Sequence, residues 1–84
     1  MELDWRIKRT FELIYSSSID NKNISSIQLR GFYIRATENQ SKSSFSDFVE
    51  RCIALDLLQL GATPSNKITF NINQEIWDLI KDES

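Results

Sequence analysis

The sequence predicts a small α+β fold, and three observations carry that prediction. Residues 43–84 read as a capped helix, a two-stranded hairpin and a short closing helix. Ahead of them lie two stretches of helical periodicity. Within the hairpin, Ile68, Phe70 and Ile72 alternate with Thr69 and Asn71, as a half-buried strand does. Three helices, a two-stranded wing and a short C-terminal helix make up the layout of a winged-helix domain. Residues 1–84 are therefore expected to form a single winged-helix domain, with no room for a second core.

The first helix is expected over residues 2–16, with Leu3, Ile7, Phe11 and Ile14 as its buried stripe. Trp5 and Tyr15 flank that stripe. Ser16 to Ser18 and Asp20 to Asn23 form a polar connection. Ile24, alone between connection and helix, suits a minimal first strand. A second helix follows over residues 26–38, capped by Ser25 or Ser26. Gly31 inside it costs about 1 kcal/mol against Ala, and a close helix crossing is the expected reason for it.

The third helix is expected to start at a capping box, Ser44 to Asp47, with Asp47 reaching back toward Ser44. Phe45, Phe48, Val49, Cys52 and Leu55 then share one helical face, and Ile53 and Leu57 widen it. The run Leu57-Leu58-Gln59-Leu60 leads into Gly61, where helical order ends or a strand opens. Residues 61–66 carry turn chemistry. Leu58 to Leu60 is expected to pair with the strand from Ile68. Asn73 caps a last helix, Gln74 to Lys81, whose Ile76, Trp77 and Ile80 face the core.

Composition excludes several functions. The chain has no histidine and one cysteine, Cys52. The usual zinc sets and the Ser–His or Cys–His nucleophile pairs need residues it lacks. Its two glycines, Gly31 and Gly61, make no phosphate-cradling loop. The carboxylate pairs Asp47 with Glu50 and Asp78 with Asp82 read as solvated helix faces. Cys52 lies on the apolar stripe and reads as a buried, inert thiol. No catalysis, cofactor, metal or small-molecule substrate is expected. No apolar run approaches the ~20 residues of a membrane span. The first residues have neither the basic start nor the apolar stretch of a signal peptide. One cysteine suits a reducing compartment.

Charge points to the kind of partner. Net charge is −2, divided unevenly. Residues 1–42 hold seven basic groups against five acidic ones, and residues 43–84 hold three against seven. A winged helix that reads DNA inserts its third helix into the major groove and sets Arg and Lys on phosphates. Here that helix carries Asp47, Glu50 and Asp56 against Arg51, and the wing carries Lys67. DNA insertion is disfavoured by Coulomb repulsion. Any DNA contact is expected at Arg30, Arg35 and Lys42 around the second helix, with Arg6, Arg9 and the wing's Lys67 as further candidates. The better use of the surface is protein contact. Leu57, Leu58 and Leu60 crowd the end of the third helix, and the wing has an open edge. The expected interface is Ile53, Leu57, Leu58, Leu60, Ile68 and Phe70, the expected partner a second copy or another protein.

One stretch also resembles a known family. The run Ile27 to Glu38, then Ser44 to Phe48, Ala54 to Leu58, and above all Lys67-Ile68-Thr69-Phe70-Asn71-Ile72-Asn73-Gln74-Glu75-Ile76-Trp77, resembles the C-terminal winged helix of the largest origin-recognition-complex subunit. That family includes replication initiators and a fungal heterochromatin-silencing paralogue. The resemblance covers residues 25–84 and implies a nuclear C-terminal domain taken from a larger protein, without its ATPase module. It implies origin DNA as partner on the initiator branch and self-association on the silencing branch. The acidic third helix favours the latter.

Overall fold

The computed structural model describes residues 3–17, 23–62 and 68–82. Among them are four helices and a three-stranded antiparallel sheet, an α+β arrangement. The order is α1 (Trp5–Ser16), β1 (Ile24–Ser25), α2 (Ser26–Thr37), α3 (Lys42–Ala54), β2 (Leu58–Ala62), β3 (Ile68–Ile72) and α4 (Gln74–Ile80). In the sheet β3 is central, with β1 on one side and β2 on the other. Ile24 pairs with Phe70, and Leu60 pairs with Phe70 from the other side.

Side-chain caps set most of the boundaries. Asp4 accepts the backbone N–H of Arg6 at 2.9 Å and starts α1. Ser25 and Gln28 form a reciprocal capping box at α2. Glu38 ends that helix in the left-handed region, φ 58°, its N–H returning to Ile34 O. Asn73 accepts from Ile76 N and starts α4.

The third helix differs from its expected form at both ends. Its cap is Ser41, which accepts from Ser44 N at 3.3 Å. Ser44 lies inside the helix and its hydroxyl bonds Tyr33 OH, so no capping box forms there. Asp47 is drawn instead to two guanidiniums, Arg6 and Arg51. At the other end, helical order stops at Ala54. Asp56 takes a left-handed turn, φ 62°, and Leu57 N returns to Cys52 O. Gly61 therefore sits within β2 rather than at a break.

The core forms where α1, α2, α3 and α4 close over the inner face of the sheet. Ile7, Thr10, Phe11 and Ile14 of α1 are buried at helical spacing. Phe11 lies between Phe48 and Trp77, with ring centroids 6.3 and 5.6 Å away. Tyr33 meets Phe48 at 4.7 Å. Ile24, Leu58, Phe70 and Ile72 close the core from the sheet, while Gln59 and Asn71 on the other face are exposed. Gly31 is not at a helix crossing. A Cβ built there meets nothing within 4 Å.

Candidate functional site

The sheet is longer than the core it covers, and the overhang defines the site. Leu58, Leu60, Phe70 and Ile72 share the inner face by alternation, and Ile68 extends it toward the hairpin tip. Near α4 that face is buried. At the other end it runs past the helices, leaving Leu60 65% and Ile68 60% exposed. Beneath the overhang lies a shallow groove of about 280 Å³. Phe45 and Val49 of α3 form one wall, Leu60 and Ile68 the other, with Phe70 lining it between them. Ile53, one turn beyond Val49, is 39% exposed and continues the apolar wall along α3. Ser26, Ser46 and Glu50 complete the lining, so Glu50 is its single charged group among the described residues.

The residues expected at an interface divide accordingly. Ile53, Leu60 and Ile68 are exposed; Leu60 and Ile68 line the groove, and Ile53 stands one helical turn along α3 from its Val49 wall. Leu57 and Leu58 are not available to a partner, being 0% and 1% exposed. The left-handed turn at Asp56 is what buries them, because it swings the chain back under the sheet. Phe70, 4% exposed, presents little more than an edge to the groove. Helical spacing places Phe45 and Val49 on the same face as the core residues Phe48 and Cys52. Both are only half-buried and complete the site.

The basic residues expected to touch DNA do not gather on one face. Arg30 donates to Gln40 O at 3.1 Å and ties down the turn into α3, where Lys42 is exposed. Arg35, five positions further along α2, lies about 140° around the helix from Arg30. It stands 5.9 Å over the Phe32 ring. It also borders a cleft with Trp5 and Arg9 of α1. Lys67 lies outside the described residues. Arg6 is fully engaged, donating to Asp4 at 3.0 Å and to Asp47 at 3.3 Å.

That engagement changes the electrostatics of α3. Asp47 also accepts from Arg51 at 2.9 Å, and the Arg51 bond, with help from Arg6, holds its carboxyl below the usual range. Asp56 lies beyond the helix and accepts from Gln59. The helix is thus less acidic toward solvent than its composition indicates, and Glu50 is its one carboxylate without a cation partner among the described residues. Cys52 is buried, and burial pushes its thiol up, away from the reactive thiolate.

Comparison of the sequence with protein-family models and curated proteins, and of the fold with solved structures, finds no match.

Proposed function

We propose that this chain is a winged-helix module that works by holding protein, a second copy of itself in the first instance, and that it is neither an enzyme nor a groove-reading DNA binder. The element order and the β1–β3–β2 sheet support the winged-helix reading, with β2–β3 as wing and α3 as third helix. The observation that carries the functional reading is the apolar groove between α3 and the hairpin, with Leu60 and Ile68 largely exposed at its lip. Exposed apolar surface of this kind marks a place of contact. The surface that would enter a DNA groove offers Ser43, Ser46, Glu50 and the Asp47–Arg51 pair, with Lys42 alone at the start of α3 and no cluster of unpaired cations among the described residues. The nuclear setting, in a chromatin-silencing or replication-origin protein, rests on the sequence resemblance alone.

Sedimentation with light scattering tests this reading. The wild-type chain is expected to associate at micromolar concentration, and Leu60→Asp to remain monomeric while still folded, with a cooperative thermal melt that no longer depends on protein concentration. Leu58→Asp, by contrast, should unfold the domain, because it places a charge in the core. A Leu60→Asp variant that associates like wild type overturns the assignment. Binding of added duplex at low salt, falling steeply as salt rises, would favour the DNA alternative.

A further inference from the structure

The groove has a natural occupant on the chain itself, at the far end of α2. Trp5 opens α1 with its side chain 56% exposed, although an indole is among the largest apolar groups a protein can bury. Arg9 is one turn further along the same face of α1, and Arg35 borders the same cleft from α2. Neither guanidinium has a carboxylate partner among the described residues. This end of the molecule therefore carries an exposed aromatic beside two cations without an ion pair, which outnumber the one carboxylate in the cleft, Glu38. The groove presents the opposite character: apolar walls and one unpaired carboxylate, Glu50.

We propose that the occupant of the groove is Trp5 of a second copy of this chain, with Arg9 of that copy against Glu50, so that copies join head to tail. The proposal rests on the self-association reading above and specifies its geometry. Three arguments support it. Charge is complementary between the two surfaces, whereas two grooves meeting about a two-fold axis would bring the two Glu50 carboxylates together with no cation among the described lining residues. Exposure agrees, since more than half of the Trp5 surface is open to a partner and the groove is concave, while groove on groove would leave a void. Reach forbids an internal contact. Ser26 borders the groove and Thr37 borders the Trp5 cleft, at opposite ends of α2 and therefore about 17 Å apart along the helix. Joined head to tail the contact is heterologous, so each pair keeps one free groove and one free Trp5 and can add further copies.

Mixing experiments read this geometry directly. Wild type should grow beyond a dimer as concentration rises. Trp5→Ala and Leu60→Asp should each weaken association by about tenfold or more, as loss of a central anchor does. An equimolar mixture of the two should form a dimer and stop there, because each variant retains the surface that the other has lost. Arg9→Glu should weaken association, and Glu50→Arg mixed with it should restore it, a test that spares the Trp5 packing. If Trp5→Ala associates like wild type while Leu60→Asp does not, the head-to-tail geometry is overturned and the groove keeps its role. If the two variants are monomeric alone and together, a two-fold contact replaces it. If Leu60→Asp associates normally, both readings fall.

Discussion

Arg6 is the residue on which three helices depend. It stands on α1, holds Asp4 at the start of the same helix, reaches Asp47 on α3 and contacts Tyr33 OH on α2 at 3.5 Å. Tyr33 in turn bonds Ser44, and Asn39 donates to Ser44 from the α2–α3 turn. Burial of Asp4 opposes its charge, but the hydrogen bonds and charge of Arg6 outweigh burial and hold its carboxyl below the usual range. Asp47 is depressed in the same direction, first by Arg51 and then by Arg6. In both cases the folded value is lower than the unfolded value of about 3.9. The unfolded state then binds more protons between the two values, so stability rises with pH. The contribution is complete above the unfolded value and is lost as pH falls through the folded ones. Arg6→Gln should lower Tm at neutral pH by a modest amount, since solvent screens these part-exposed pairs. The difference from wild type should shrink in melts run below about pH 3.5. A Tm difference that stays constant from neutral pH to strong acid would rule out this account. Nothing in the spacing of Arg6 relative to Asp47, 41 positions apart, marks the pair in the sequence. Only the crossing of α1 and α3 brings them together.

At the level of elements, the local rules were legible and the junctions were not. Ser25 and Asn73 cap where polar residues precede apolar periods, and β3 alternates from Phe70 to Ile72. Asp4, expected inside a helix starting at residue 2, is instead its cap, and at the tip end of β3 Thr69 is buried and Ile68 exposed. The start of α3 misleads because its serines at 41, 43, 44 and 46 are chemically alike as caps. Tertiary partners decide among them: Tyr33 takes Ser44 and Arg6 takes Asp47. The run Leu57-Leu58 misleads for a related reason, since a continuous apolar run does not show its direction, and the turn at Asp56 sets it. Half of the candidate site was readable for this reason: Ile53, Leu60 and Ile68 follow from alternation and helical spacing. The depth of the groove depends on how far β2 and β3 overshoot α3, which no local pattern encodes. Gly31 gives an element-scale test. It is exposed in the middle of α2, has no left-handed backbone, and leaves open space where a Cβ would stand. Gly31→Ala should therefore stabilise the domain by about 0.5–1 kcal/mol, by removing the glycine penalty in a helix. Calorimetry should show a Tm higher by several degrees. A lower Tm would mean that something not seen within the chain needs the bare backbone.

At the scale of the whole molecule, stability rests on a single hydrophobic cluster, and Phe11 is central to it. Its ring is fully buried, meets Phe48 from α3 and Trp77 from α4, and so couples the first helix to the last. Trp77 also stacks on Tyr15, rings 13° from parallel, which locks α4 down along α1. A domain of 84 residues has a stability of roughly 4–13 kcal/mol. Removing a buried phenylalanine ring costs about 3–5 kcal/mol, because neighbours on several elements cannot all collapse into the space. Phe11→Ala should therefore consume a large share of the total. Trp77 reports the result without a label, provided the exposed Trp5 is first replaced by Phe to remove its constant emission. In that background, the urea midpoint read from Trp77 emission should fall by about 3–5 M, for a slope near 1 kcal/mol per molar. The far-ultraviolet signal should move with it, since one cluster supports every element. If helical signal persisted after Trp77 became exposed, α4 would be a separable unit and the single-core account would fail. If it did not, the groove beneath the hairpin is supported by the same core. Association would then stabilise the fold as well as join the copies, and Tm would rise with protein concentration.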